Sequence, residues 1–465
     1  MQADIGLIGL AVMGQNLVLN MADHGYTVAV FNRTVAKVDD FLKGEAKGKS
    51  IMGAHAIKEF VSVLKRPRRM LLMVKAGDAV DELIEELLPF LEAGDILIDG
   101  GNSYFADTER RVNSLKEKSI LFMGMGISGG EEGARHGPSM MPGGNPEAWP
   151  HVKKIFQAIS AKANDGAPCC DWVGNGGAGH YVKMVHNGIE YGDMQLIAEI
   201  YDLLKRGMHC SYPDMAALFT RWNKGNLNSY LIEITAKVLE KKDKDGQALV
   251  EKILDAAGQK GTGKWTGMQA LDLGVPVTLI GEAVFARCLS ALKDERVEAS
   301  RHYPAPASAK TNYDEDEMAR ALFASKIVSY AQGFMLMRQA SDLHKWNLNY
   351  GAIALLWRGG CIIRSQFLDR IAEAYKRNPA LTNLLIDPYF QKEITASVDG
   401  WRKLIIEGVK RGIPLPCLST ALAFFDGYRS ATLPANLLQA LRDCFGAHLY
   451  ERIDQARGKT FHTEW

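Results

Sequence analysis

Short apolar runs at residues 5–10, 27–31, 69–74, 95–99 and 120–124 alternate with stretches of helical period over the first third of the chain. Continuous apolar runs separated by helices are the sequence form of a parallel sheet covered on both faces. Four of these runs lead into residues suited to ligand contact: Asn32-Arg33-Thr34, Lys75-Ala76-Gly77, Gly100-Gly101-Asn102 and Gly126-Ile127-Ser128-Gly129-Gly130. Ligands of open α/β sheets sit beyond the carboxyl ends of the strands, where these residues fall. A turn-rich stretch at 165–179 closes the region, and helical periods dominate from there to about residue 435. The run Asp314-Glu315-Asp316-Glu317 reads as a helix start, because acidic charge suits a first turn. Lys326-Ile-Val-Ser faintly repeats Lys183-Met-Val-His and hints at a duplicated helical unit. Residues 449–465 are polar and poor in core residues, so they should form an arm.

Within the helical region one line of side chains stands out. Positions i, i+3, i+4 and i+7 share a helix face, so Lys183, His186, Asn187 and Glu190 form a single polar stripe. Met184, Val185 and Ile189 fall elsewhere, with a helix-weakening Gly188 between them. A solvated face rarely gathers these four types beside so many apolar neighbours. Turned toward a cleft, the stripe supplies a base, hydrogen-bond donors and an acid on one rigid element.

Composition narrows the setting. A chain of 465 residues exceeds one ordinary core and implies two or three domains. With 47% apolar and 23% charged residues it is a soluble globular protein in composition. A formal charge of +1 provides no global field for nucleic acid or a membrane surface, so an anionic substrate needs a local cluster of cations. The longest early apolar run, 70–74, is far too short for a bilayer, and the N-terminus enters a strand without room for a signal peptide. Seven scattered cysteines without CxxC spacing argue against a disulfide framework or zinc site and fit a reducing cytoplasm.

The sharpest local motif is Gly9-Leu10-Ala11-Val12-Met13-Gly14, a GxGxxG loop with alanine at the second glycine. It follows the first strand and opens a helix ending near His24-Gly25, the context a dinucleotide pyrophosphate requires. The extra methyl should loosen or shift the cofactor without abolishing binding. At the end of the second strand, an NAD site usually places a carboxylate for the ribose 2′-hydroxyl. Here Asn32-Arg33-Thr34 offers none, and Arg33 can take a 2′-phosphate through its planar fork, so NADP is expected. Residues 258–265 nearly match a nucleotide-triphosphate loop, but Trp265 replaces the magnesium-holding hydroxyl and helical sequence precedes the loop. Lys260 on this glycine-rich segment remains an anchor for a simple phosphate.

Taken together, these motifs resemble the 6-phosphogluconate dehydrogenase family, decarboxylating enzymes of the oxidative pentose phosphate pathway. The matching blocks are residues 9–14, 32–34, 74–76, 99–102, 127–133, 179–193, 260–264 and 442–448, which cover essentially the whole chain. The resemblance implies a Rossmann-type dinucleotide domain (1–178), a large all-α substrate and dimerisation domain (179–435) and a tail (436–465) reaching into a partner subunit. It implies Lys183 as general base and Glu190 as general acid. Asn102, Ser128, Gly129, Gly130, His186, Asn187 and Tyr191 would hold the sugar acid. Lys260 and Arg287, with Arg442 and His448 of the neighbouring chain, would hold the phosphate end, and Thr262 would also bind substrate. NADP would lie on Gly9 to Gly14, Asn32, Arg33, Thr34, Val74, Lys75, Ala76 and Asn102. No metal is implied, and no carboxylate cluster suits magnesium. Cys444 departs from the family pattern, which usually has tyrosine there.

Two other readings share part of this pattern. β-Hydroxyacid dehydrogenases that do not decarboxylate carry the GxAxxG loop and a helix lysine, but are generally shorter and lack Lys260, Arg287 and the Arg442/His448 tail. A non-catalytic NADP sensor needs the cofactor loop without the Lys183/Glu190 pair.

Overall fold

A computed structural model describes residues 2–259, 261–304, 306 and 310–465. All five apolar runs form strands: β1 (Ile5–Ile8), β2 (Val28–Phe31), β4 (Arg69–Leu72), β5 (Ile96–Asp99) and β6 (Leu121–Ile127), with β3 (Ile51–Gly53) between the second and third of them. Two further strands, β7 (Met140–Gly144) and β8 (Gly174–Asn175), complete an eight-stranded sheet in the order β3-β2-β1-β4-β5-β6-β7-β8. Pairing is parallel from β3 to β6; β7 then runs antiparallel to β6 and parallel to β8. Helices cover both faces, with separate apolar cores on the two sides. The turn-rich stretch at 165–179 therefore contributes a strand of two residues as well as turns.

Beyond Asn175 the described residues form helices until the tail, joined by loops and a few isolated bridges. Two long helices, Ala178–Asp202 and Glu315–His344, pack along each other at the centre of the largest core. The second starts where the acidic run anticipates: the Asp314 carboxylate accepts from Asp316 N (2.8 Å) and Glu317 N (3.0 Å). Those bonds satisfy donors that a helix start leaves free. Lys183 and Lys326 share a sequence context but not an environment. Lys326 Nζ donates to Asp193 Oδ2 at 2.7 Å, an ion pair 1% exposed on both sides that ties the two helices together. Farther along, the Glu199 carboxylate accepts from Cys417 N (2.8 Å) and Leu418 N (2.9 Å), capping the helix Pro416–Tyr428. Burial raises the Glu199 carboxyl to about 7, against the pull of those N–H groups.

The tail consists of a helix, Ala435–Gly446, and a small hairpin of β9 (Tyr450–Glu451) and β10 (Thr460–Phe461). Asp443 organises it by accepting from Leu449 N, Thr463 N and Trp465 Nε1. Leu437, Leu438, Leu441 and Phe445 are exposed along the helix, and most of residues 449–465 are exposed as well. Among the described residues no helix is long and apolar enough to cross a membrane, and no group of three His, Cys, Asp or Glu is placed to hold a metal.

Candidate active site

The helix Ala178–Asp202 crosses the carboxyl end of β6 so closely that several contacts require glycine. A Cβ on Gly126 would sit 2.9 Å from Lys183 Cγ, and one on Gly143 would sit 2.5 Å from Gly179 N. Gly188 has a related purpose: a Cβ there would lie 2.7 Å from Thr266 Cγ2 on the helix Thr262–Asp272. Its low helix propensity is the cost of bringing these two helices together.

This packing turns the polar stripe inward. Lys183 is 6% exposed and His186 fully buried, while Asn187 and Glu190 are half-buried. Ser128, at the end of β6, meets His186 Nε2 at 3.4 Å, and His186 Nδ1 faces Asn187 Oδ1 at 3.0 Å. Asn187 Nδ2 donates to Thr262 Oγ1 at 3.1 Å, so the sheet, the stripe and the following helix are joined by hydrogen bonds. Gly129 (φ +105°) and Gly130 (φ +61°) follow Ser128 in the left-handed region that glycine tolerates, which starts the helix Gly130–His136.

Burial sets the proton affinities of the stripe. It pulls the Lys183 ammonium below its ordinary value of 10.5, with Glu190 and Cys361 opposing. It pushes the Glu190 carboxyl above 4.5, an effect Asp193 reinforces and Lys183 and Arg287 oppose. His186 is driven well below 6.5 by burial and by Lys183, so it is a neutral hydrogen-bonding group. An amine held toward neutrality and a carboxyl held toward protonation are the forms a base and an acid need before reaction.

Beyond Glu190, the Arg287 guanidinium lies over the Tyr191 ring at 3.5 Å, and Gly263 closes on that ring from another side. Arg287 also donates to Gly258 O at 3.1 Å, holding the loop that leads to Thr262. Lys260 lies outside the described residues. The chain preceding Gly258 is an irregular loop after a short 3-10 turn at Leu249–Lys252, and not the helix its sequence indicates. Arg442 and His448 stay on the exposed tail; among the described residues no hydrogen bond or ion pair ties either to the stripe. Cys444 is exposed beside them.

At the other end of the site, Gly9 (φ +108°) brings the backbone of β1 against that of β4, where a Cβ would press on the carbonyl of Met73. Ala11 caps the helix Val12–Asp23 without a side-chain hydrogen bond, and both Ala11 and Val12 are exposed. The first N–H groups of that helix have no acceptor among the described residues, and Met13 and Gly14 lie in this first turn. This cradle fits a dinucleotide diphosphate. Asn32 Oδ1 accepts from Leu10 N (3.0 Å) and its Nδ2 donates to Thr34 O, binding the loop to the end of β2. Arg33 projects from that bend, 75% exposed. Val74, Lys75 and Ala76 follow β4 on the same edge of the sheet. Asn102 is exposed on the loop after β5, which Asp99 shapes by accepting from Gly101 N (3.0 Å) and Ser103 Oγ (2.6 Å).

Three contributors escape a reading of the sequence. The Trp357 ring packs edge-on against His186 at 5.6 Å; the Cys361 thiol, buried near Lys183, donates to Trp357 O. A Cβ on Gly129 would lie 2.6 Å from Gly360 O, so this turn closes over the end of β6. The pair Gly359-Gly360 marks an interruption between helices. Nothing in it announces a return of some 180 residues to Lys183.

Two family descriptions match the chain: "NAD binding domain of 6-phosphogluconate dehydrogenase" over residues 4–174 and "6-phosphogluconate dehydrogenase, C-terminal domain" over residues 179–465. The protein called "6-phosphogluconate dehydrogenase, decarboxylating" from Ovis aries is 61% identical over 468 residues, spanning 100% of this chain and 97% of its own length. The human protein of that description matches equally, and the Haemophilus influenzae one is 59% identical over 467 residues, spanning 100% of this chain and 96% of its own. Among solved structures, Plasmodium falciparum 6-phosphogluconate dehydrogenase, described in its apo form and with NADP+ and 6-phosphogluconate, superposes with a TM-score of 0.96. It is 45% identical and the match covers 99% of this chain and 100% of the other.

Proposed function

The chain belongs to the 6-phosphogluconate dehydrogenase family, and from that premise we propose that it converts 6-phospho-D-gluconate and NADP to D-ribulose 5-phosphate, carbon dioxide and NADPH. The observation that carries this reading is the inward-turned stripe, with Lys183 and Glu190 on one helix face and burial shifting both toward their neutral forms. Bound NADP supplies the acceptor for the hydrogen that leaves carbon 3 with its electron pair. Residues 9–14 would hold its diphosphate and Asn32, Arg33 and Thr34 its 2′-phosphate. Val74, Lys75, Ala76 and Asn102 would line the rest of its path.

Neutral Lys183 takes the 3-hydroxyl proton as carbon 3 is oxidised. The resulting β-keto acid loses carbon dioxide when negative charge on the carbonyl oxygen is stabilised, which the Lys183 ammonium now does by donating to that oxygen. Glu190 then delivers a proton to carbon 1 of the enediol, and Lys183 takes the enediol hydroxyl proton back as the ketone forms. Each transfer of this kind typically contributes roughly 10²- to 10⁴-fold in rate. Ser128, Gly129, Gly130, His186 and Asn187 would orient the sugar acid, with Asn102 and Tyr191 at its edges. Thr262 and Arg287 would border the phosphate end, and Lys260, outside the described residues, would add a cation there.

The exposed apolar residues support a dimer. Leu437, Leu438, Leu441 and Phe445 on the tail helix form one uncovered face, and Phe285, Leu289 and Leu292 another. We assign these to a homodimer in which each tail carries Arg442 and His448 to the partner's phosphate site. The division of labour is then residues 1–178 for cofactor, 179–435 for substrate and dimerisation, and 436–465 for the shared site. Seven free cysteines suit a reducing cytoplasm.

The test is stoichiometric. Purified protein given NADP and 6-phosphogluconate should form NADPH and carbon dioxide in equal amounts. NADPH without carbon dioxide would identify a non-decarboxylating dehydrogenase, and binding without turnover a sensor.

A further inference from the structure

We propose that Glu82 and Glu86 set how strongly this chain prefers NADP to NAD, by competing with the 2′-phosphate for Arg33. This rests on the reading that Arg33 receives that phosphate. Arg33 Nη2 lies 3.4 Å from Glu86 Oε1 and 3.7 Å from Glu82 Oε2. The two glutamates stand one turn apart on the helix Asp78–Leu87, which follows β4. They share a face because they are i and i+4. Among the described residues Arg33 is the cation that pairs with either of them. The neighbouring Asp81 is already engaged by Arg110 and Arg111.

A 2′-phosphate carries nearly two negative charges and wants the same guanidinium edge. A phosphate that takes Nη2 removes the group both carboxylates now face and leaves them nearby, without another described cation to neutralise them. NAD has no group there and does not feel this competition. The glutamates therefore weaken NADP binding selectively, and they do so through exposed charges whose effect salt can screen.

The experiment measures dissociation constants of NADPH and NADH by fluorescence titration of the full chain at low and high salt. For Glu82→Gln/Glu86→Gln the expected result is NADPH bound more tightly, by about twofold to fivefold for each exposed pair removed. NADH should be unchanged, and the gain should shrink at high salt. Arg33→Ala, measured alongside, should lose most of the preference for NADPH. If Arg33→Ala behaves so but the glutamine variant binds both cofactors as before, or tightens both equally, the competition is refuted and the phosphate reading stands. If Arg33→Ala leaves the preference intact, the phosphate reading falls and the inference with it.

Discussion

Gly126→Ala tests whether the sheet positions the stripe. The new methyl would lie 2.9 Å from Lys183 Cγ and nearer still to its Cβ. Carbon atoms prefer roughly 3.5–4 Å, so the lysine stem must move on the order of 1 Å. Retreat of the whole helix from the sheet runs into the helix Thr262–Asp272, against which Gly188 is already packed at Thr266. Overpacking of this kind typically costs about 1–3 kcal/mol of stability. A displacement of that size at a reacting group costs about 10²-fold in rate. The variant should therefore fold, denature at modestly lower urea concentration and lose about 10²-fold in kcat. Gly427→Ala provides the control: nothing lies within 4 Å of its Cβ, and kcat should not change. A Gly126→Ala enzyme that is destabilised yet keeps wild-type kcat would refute the idea that Lys183 must be held at this spot.

Further expectations concern the stripe, the pH response and the tail. Lys183→Met should cut turnover by roughly 10²- to 10⁴-fold or more while helical content by circular dichroism is unchanged; gross unfolding would mark the lysine as structural. Glu199 has its folded-state value raised from 4.5 to about 7. Its stabilising contribution is thus complete below pH 4.5 and is lost as pH rises through about 7. The loss amounts to about 3 kcal/mol at most. Urea midpoints of wild type should fall between pH 5 and pH 8 relative to those of Glu199→Gln, and parallel midpoints would contradict the assignment. Ending the chain before Arg442 should raise KM for the sugar phosphate and shift sedimentation toward the monomer; an unchanged enzyme would remove the tail from the site.

How much of this was legible in the sequence depends on the range of the signal. The five apolar runs and Asp314 were readable because strand burial and helix capping are local. The strands β7 and β8 escaped because Met140–Gly144 contains Pro142 and two glycines, and because β8 is two residues long. Both are strands by virtue of what packs on them. The stripe residues were readable from helical spacing, and so was the cofactor loop. Trp357, Gly360 and Cys361 were not, because their approach to His186, Gly129 and Lys183 is fixed by the packing of distant helices. Lys326 and Lys183 share local sequence but not surroundings: one pairs with Asp193, and the other is buried near Glu190 and Cys361. Arg33 was readable as a cation, its glutamate partners on another helix were not.

The most direct test is a crystal structure of the assembled protein with 6-phosphogluconate and NADP bound. In it Lys183 Nζ should lie within about 2.6–3.2 Å of the 3-hydroxyl, with Glu190 facing carbon 2, which becomes carbon 1 of the enediol once the carboxylate has left. A sugar acid seated with its 3-hydroxyl against any other group, or Lys183 turned away toward Cys361, would contradict the account.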